Sequence, residues 1–541
     1  MKTSSPPNKR TRRFFGVAIA ATAALVLSAC SSGASPAEDE APADLVDSGQ
    51  GIETVKVAFP GSLANLYIGQ ESGILNYYLA ANVQEGLVSL DSEGKFVPGL
   101  ATEWEMTDDS TYVFTVREDA KFHNGDTVTP EDIVFSIEQA ADPVASPGTS
   151  FYLQGMASAE VTGDNEITVK TENPNASFLT NLSNVGALVV TQQAFWEEHD
   201  GKVGTSNSLL MGTGPYAVTE FSPDSHVVLD RVDTWWGEQP PVEQIRIDFI
   251  PDENTRLLAA QKGDIDIAFN VPLKQANSWQ DISEGRVDAV NDLSYAGLLF
   301  DHEVAPFDDP NVRAAIATAT DSEAIVEKLL HGYGEVATSI MTPESLSQVY
   351  DADAARDVLS NLPHHSFDMD RAKELLEDSS AADGFTTELT YPNTGPQLGT
   401  AAQSIAENMK QLGVTINVRE VPIEEWLATI GDGEHGLGFM WYFSTTGDPA
   451  EVSSYLLGAG NDSHFDSAEA QRLIAESDAA LDPADRVNIL LQLEEENHKN
   501  THTSPLWWGQ SLTYFSNEIG IKDFSPFTFL GAWGPQLYAA E

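Results

Sequence analysis

Apolar and polar positions alternate in four well-separated stretches of the chain. Val55, Val57 and Phe59 of "ETVKVAF" (53–59) fall on one face of an extended backbone, as do Tyr112, Phe114 and Val116 of "TYVFTVRE" (111–118). "QIRIDFI" (244–250) and "VTINVREV" (414–421) repeat the pattern through Ile245, Ile247, Phe249 and through Val414, Ile416, Val418. A period of two predicts half-buried strands. Elsewhere the period lengthens to that of a helix. "TPEDIVFSIEQAAD" (129–142) offers Thr129 as a cap and Pro130 at the first helical position, then Ile133, Val134 and Ile137 on one face. "DDPNVRAAIATA" (308–319) opens the same way at Asp309-Pro310, and 368–378 and 399–413 are further amphipathic helices. A helical pattern over 467–499 breaks and restarts at Asp482-Pro483.

Strands alternating with helices over this length predict an α/β architecture. "PDENTRLLAAQKGDIDIAFNV" (251–271) reads as a helix, a glycine stop and a strand, half of a crossover unit. Asn124-Gly125 in "FHNGD" (122–126) supplies the positive-φ pair of a turn. "GTGPY" (212–216) places two glycines and a proline where the chain changes direction. Its G-x-G is followed by the strand-like "YAVTEF" rather than a helix, which excludes a nucleotide-phosphate loop.

Before these patterns begin, the N-terminus has a different character. Lys2, Lys9, Arg10, Arg12 and Arg13 precede the apolar run "FFGVAIAATAALVLSA" (14–29), which is short for a membrane span of about 20 residues. A basic region, an apolar region and a small-residue exit make an export signal over 1–29. "TRRFF" (11–15) also carries a twin-arginine pair, so the export route stays open. The exit, "LSAC", holds the only cysteine of the chain, Cys30, and resembles the lipobox of bacterial lipoproteins. That resemblance implies cleavage before Cys30 and lipid on its sulfur and new amino group, enough to hold the protein at a membrane. One cysteine has no partner for an internal disulfide. Residues 30–51 are rich in Ser, Ala, Pro and acid and are expected to form the lipidated cysteine and a flexible tether.

Charge sharpens the picture. The chain carries 28 basic and 83 acidic residues, and the signal would remove five basic residues and no acidic one. Such a chain repels nucleic acid and anionic lipid headgroups, so neither is expected as a partner. About 490 residues follow the tether, enough for two or three domains.

Three long blocks, 100–140, 212–268 and 306–334, are similar to the solute-binding proteins of family 5, the dipeptide- and oligopeptide-binding class of ABC importers. "VQEGLVSLDSEGKFVPGLATEWE" (83–105) extends the first block. The resemblance implies an α/β fold of the type II periplasmic-binding-protein kind, with two lobes joined by a hinge and an extra domain. Lobe I would comprise 52–90, 208–297 and 510–541, the extra domain 91–207 and lobe II 298–509. A solute would be held between the lobes by hinge closure and delivered to the permease in the membrane, with no cofactor and no catalysis. The protein is expected to be a monomer, lipid-anchored on the outer face of the cytoplasmic membrane.

Peptide-binding members carry Asp-Tyr-x-Asp-Pro after a tryptophan, and its first aspartate pairs with the peptide's amino group. Here the segment is "GFMWYFSTTGDPAEVSSYLL" (438–457): Asp448-Pro449 is retained, and Thr445 stands where that aspartate would be. Ser444, Thr445 and Thr446 offer hydroxyls in place of a carboxylate. Asp448 is either a ligand contact or a turn-former before proline. Trp441, Tyr442 and Phe443 either line the cleft or form a buried strand. Ser62, Tyr295 and Trp508 complete the ligand-binding candidates, while Trp235 and Trp236 read as packing. The leading solute is a peptide or peptide-like compound. An oligosaccharide, a glutathione-like compound, a nickel chelate or a signalling role are the alternatives.

Eleven histidines include His364-His365 and the pair His498 and His502, but no acidic or cysteine partner completes a metal-ligand set, so no metal is expected. No G-x-S-x-G, H-E-x-x-H or P-loop occurs, and no enzyme activity is expected.

Overall fold

The computed structural model of the protein describes residues 45–430 and 436–541. The export signal, the lipobox cysteine Cys30 and the tether as far as residue 44 lie outside the described residues.

The alternating stretches become strands. Ile52–Phe59 pairs in parallel with Val242–Phe249 on one side and Ile267–Ala268 on the other, so the helix Glu253–Gln261 between those two is the expected crossover. They belong to a nine-stranded mixed sheet. From one edge its order is Leu437–Phe443, Gly285–Phe300, Thr503–Ser516, Ile267–Ala268, Ile52–Phe59, Val242–Phe249, His226–Arg231 and Tyr216–Ser222; Glu335–Val336 also pairs with Thr503–Ser516. The segment assigned to the tether by composition is partly paired: Ser48 donates to the Ala539 carbonyl, and Asp47 forms a bridge with Ala540.

Two strands of this sheet, Gly285–Phe300 and Thr503–Ser516, run antiparallel along almost their whole length. Their register shifts between Asn291 (opposite Gln510) and Tyr295 (opposite Trp508), so residues 292–294 face Gly509 alone, and it shifts again between Ala296 and Gly297. Val287, before the break, and Leu293, within it, pack into cores formed with the strand Ile52–Phe59 and its neighbours. After it, side chains alternate between two other cores: Ala296, Leu298 and Phe300 enter one, Tyr295 and Leu299 the other. A strand covered on both faces is why "AGLLF" (296–300) is a continuous apolar run.

A separate four-stranded antiparallel sheet is ordered Ala101–Asp108, Thr111–Val116, Glu166–Thr171, Met156–Gly163. Its inner face (Tyr112, Phe114, Val116, Ile167, Val169) meets Ile133, Ile137 and Ala140 of the helix Pro130–Ala141. That helix starts as its sequence predicts. The Thr129 hydroxyl accepts from the Asp132 N–H at 3.1 Å, and the Asp132 carboxylate accepts from the Thr129 N–H at 3.2 Å.

"GTGPY" explains its own composition. The Gly214 N–H donates to the Val83 carbonyl at 3.0 Å, and a Cβ on Gly212 or Gly214 would collide with backbone atoms of residues 82–83. Only glycine admits that approach.

Candidate functional site

The strand Leu437–Phe443 ends where the sequence placed its ligand candidates. Its backbone leaves the sheet at Ser444, whose N–H donates to the Leu293 carbonyl. It then turns through Gly447 at φ +65° and enters the helix Glu451–Leu457. The loop is held by its own side chains: the Gly447 N–H donates to Ser444 Oγ, the Asp448 N–H to Thr446 Oγ1 and the Ala450 N–H to Asp448 Oδ1.

Two arrangements lie along this loop. The first centres on Glu451, the first residue of the helix. Its Oε1 accepts from the Tyr442 hydroxyl at 3.0 Å and the Tyr152 hydroxyl at 3.2 Å. Its Oε2 accepts from Ser444 Oγ at 2.5 Å and from the Thr446 hydroxyl. Tyr152 comes from the turn Ser150–Leu153, so the cluster joins distant parts of the chain. Tyr77, on the helix Ile74–Val83, faces the same group and donates to the Gly186 carbonyl at 3.1 Å. The buried Thr445 hydroxyl sits before Tyr77 and Tyr152 without a well-formed hydrogen bond. Burial pushes the Glu451 carboxyl above its ordinary range, the hydroxyls of Ser444, Thr446 and Tyr442 oppose that, and the Asp448 charge adds to it. Burial raises Tyr152 and Tyr77 too, and the nearby Glu451 charge contributes to both.

The second arrangement is a cavity of about 400 Å³ on which Thr446, Gly447 and Asp448 open. Trp104 and Tyr112 of the four-stranded sheet line it together with Val349, Leu481, Val487 and Phe527. Its polar part is an ion pair. Arg486 Nη1 meets Asp448 Oδ2 at 2.7 Å, Nη2 meets Asp448 Oδ1 at 2.9 Å, and Nη2 also reaches Ser177 Oγ at 2.6 Å. Two parallel bonds to a carboxylate are the strongest geometry available to arginine. A mainly apolar chamber with a few fixed polar groups is the usual form of a small-molecule site.

The sequence-predicted residues divide accordingly. Ser444 and Thr445 join the hydroxyl cluster, and Asp448 lines the cavity while bound to Arg486. Trp441 and Phe443 are half-buried, edge to face at 5.4 Å. Ser62 is exposed on the segment after the first strand. Tyr295 and Trp508 are core side chains: the Tyr295 hydroxyl meets Thr503 Oγ1 at 3.3 Å, and Trp508 Nε1 donates to the Ser339 carbonyl at 3.1 Å. Trp235 and Trp236 both direct their N–H at Glu85, and the Arg117 guanidinium lies 3.2 Å above the Trp236 ring, consistent with packing.

Glu451, Arg486, Tyr77 and Tyr152 were missed. Arg486 had a signal, since it shares a helical stripe with the buried Leu490 and Leu493. Glu451 and the tyrosines had none. Of the histidines, the rings of His365 and His498 lie 4.6 Å apart at a tilt of 39°, and the helix ends at Asn500 before His502. Among the described residues no group of three His, Cys, Asp or Glu side chains could hold a metal, and no helix is long and apolar enough to cross a membrane.

Residues 95–464 match the family model described as bacterial extracellular solute-binding proteins, family 5 Middle. Heme-binding protein A of Haemophilus influenzae is 25% identical over 465 residues, covering 81% of this chain and 83% of that protein. Dipeptide-binding protein DppE of Bacillus subtilis is 26% identical over 476 residues, covering 82% and 83%. Among solved structures, the periplasmic binding protein DppA of Helicobacter pylori in complex with the peptide STSA superposes with a TM-score of 0.76 at 20% identity, covering 91% of this chain and 99% of that one.

Proposed function

The chain belongs to the bacterial extracellular solute-binding proteins of family 5, and from that premise we propose that it captures peptides or peptide-like solutes for an ABC importer. The observation that carries this reading is the loop 444–448. It has hydroxyls and a buried carboxylate on one side and a largely apolar cavity on the other, and residues distant in sequence surround both. Peptide capture needs fixed polar groups for the invariant parts of the ligand and a roomy chamber for variable side chains. Trp441, Phe443, Ser444 and Thr445 face the solute from one lobe and Ser62 from the other; Tyr295 and Trp508 support the site from the core.

The register break at residues 291–295 and 508–510 is the hinge in this reading. It lies near the boundary between lobe I (52–90, 208–297, 510–541), with its extra domain (91–207), and lobe II (298–509), and closure of the lobes on a solute is the state the permease reads. Cys30 carries lipid, which keeps the binder, as a monomer, at the membrane that houses its importer. The family binds its substrates, and this chain releases them unaltered.

Native mass spectrometry of the tag-free protein as purified tests the reading, followed by thermal shift with synthetic di- to hexapeptides. Co-purifying peptides and a raised Tm are expected, because a ligand that binds only the folded state stabilises it by mass action. Co-purifying heme or sugar, with no response to any peptide, would replace peptides by that solute.

A further inference from the structure

The charged and amide groups that line the cavity beside the loop 444–448 are already committed to the protein, Glu105 excepted. Asp448 and Arg486 match each other through two hydrogen bonds, and Arg486 also reaches Ser177. Gln348 Nε2 donates to the Gly94 carbonyl at 2.5 Å. The Tyr112 hydroxyl donates to the Asn175 carbonyl at 3.2 Å. Glu105 stands exposed beside the exposed Met106 on the strand Ala101–Asp108, at the edge of its sheet, which places both at the rim. The rest of the lining is dominated by apolar side chains, among them Trp104, Leu179, Leu346, Val349, Leu481 and Phe527. At about 400 Å³ the space lies near the small end of ligand pockets, which run from about 300 to 1,000 Å³. It has room for one large side chain and none for a whole oligopeptide.

We infer that this cavity selects solutes by one side chain: it takes a bulky apolar group, aromatic or aliphatic, and refuses an acidic or basic one. The inference rests on the peptide reading and adds which side chains the site prefers. An apolar side chain entering the cavity leaves every bond of the Asp448–Arg486 pair in place. A carboxylate would have to draw Arg486 away from Asp448, and an ammonium would have to draw Asp448 away from Arg486. Either exchange leaves one charge unmatched among apolar walls, which is strongly unfavourable. The net charge of the whole chain acts in the opposite sense for bases. With 83 acidic and 28 basic residues it attracts a cationic solute at long range. A preference for an apolar side chain over lysine therefore reports the cavity and not the surface.

The test uses the mature chain and alanine tripeptides and pentapeptides in which one position carries phenylalanine, norleucine, lysine, glutamate or alanine, each position taken in turn. Calorimetry reads the affinities. At one position phenylalanine is expected to bind roughly ten- to hundredfold tighter than alanine, the worth of one buried apolar side chain. At that position lysine should bind more weakly than norleucine, its uncharged match in length. A peptide with photo-leucine there should crosslink within 104–106, 346–349 or 480–487. Val349→Trp, which fills the cavity from its wall, should bring phenylalanine to within a few-fold of alanine. Should that variant fail to fold by circular dichroism, the wild-type series and the crosslinks still decide the matter. Equal affinity across the series, lysine or glutamate binding as well as norleucine, or crosslinks outside those segments overturns this inference and leaves peptide uptake standing. Binding of no peptide at all overturns the peptide reading, and this inference falls with it.

Discussion

Arg486 holds Asp448 through two parallel hydrogen bonds of 2.7 and 2.9 Å, with both side chains less than a tenth exposed. The same guanidinium reaches Ser177 Oγ at 2.6 Å, so one buried cation ties the helix Pro483–Asn500 to the loop 444–448 and to the edge of the helix Phe178–Asn181. Removing one member of a buried pair leaves the other charged and unsolvated, which typically costs about 3–5 kcal/mol. Arg486→Met is therefore expected to lower unfolding stability by about that much in urea titrations. Arg486→Met combined with Asp448→Asn should recover part of the loss. A single variant within ~1 kcal/mol of wild type would show that the pair is solvated in solution.

Glu494 gives the fold a pH dependence of its own. Its carboxylate, on the buried face of the helix Pro483–Asn500, accepts from the N–H groups of Ile340 and Met341 and from Ser453 Oγ. Burial outweighs these bonds and pushes its pKa up to about 7. The folded state thus binds this proton more tightly than the unfolded chain. Its contribution is full below the ordinary carboxylate range and is lost as pH rises through about 7. Between pH 5 and pH 8 the loss should approach roughly 3 kcal/mol. Glu494→Gln turns an amide toward one of the backbone donors and lowers stability at every pH, but it removes this slope. The histidines whose pKa burial lowers, His123, His302, His365, His498 and His502, titrate in both proteins, so the difference between the two urea series isolates Glu494. Parallel curves would end the assignment.

The sequence made the periodic elements legible because their signals are local. Thr129-Pro130, Asp309-Pro310 and Asp482-Pro483 each begin a helix with the cap their order dictates. The site was legible only as an address. The stretch 438–457 was identified, but which side chains matter depends on what other segments bring to it. Tyr152 and Arg486 reach the loop from 299 and 38 residues away. No pattern within a window records such a meeting. Tyr295 and Trp508 mislead for the converse reason: aromatic residues beside an apolar strand read alike whether they line a cleft or fill a core. Tyr295→Phe should therefore cost ~1 kcal/mol of stability, the worth of its hydroxyl bond to Thr503, and leave solute capture unchanged. A selective loss of capture without loss of stability would return Tyr295 to the cleft wall.

The break between the two long strands makes a sharper demand. Residues 292–294 stand opposite Gly509, and a Cβ there would overlap the Ser294 hydroxyl and lie 2.9 Å from Asp292 Oδ1. Both oxygens of that carboxylate are committed: Asp292 Oδ1 accepts from the Ser294 N–H at 2.8 Å, and Oδ2 accepts from Ser511 Oγ at 2.5 Å. Gly509→Ala must displace Ser294, at an expected cost of about 1–3 kcal/mol for overpacking. Ser294→Ala removes the obstacle, so the double variant should be more stable than the sum of the two singles predicts, with a coupling of about 1 kcal/mol or more. If the break is also the pivot of closure, Gly509→Ala will alter the change in small-angle scattering that a bound solute produces, and Ser294→Ala in the same chain will restore it. Additive stabilities would mean that the backbone around residues 292–294 yields easily. The Gly509 contact would then be no constraint on either folding or closure.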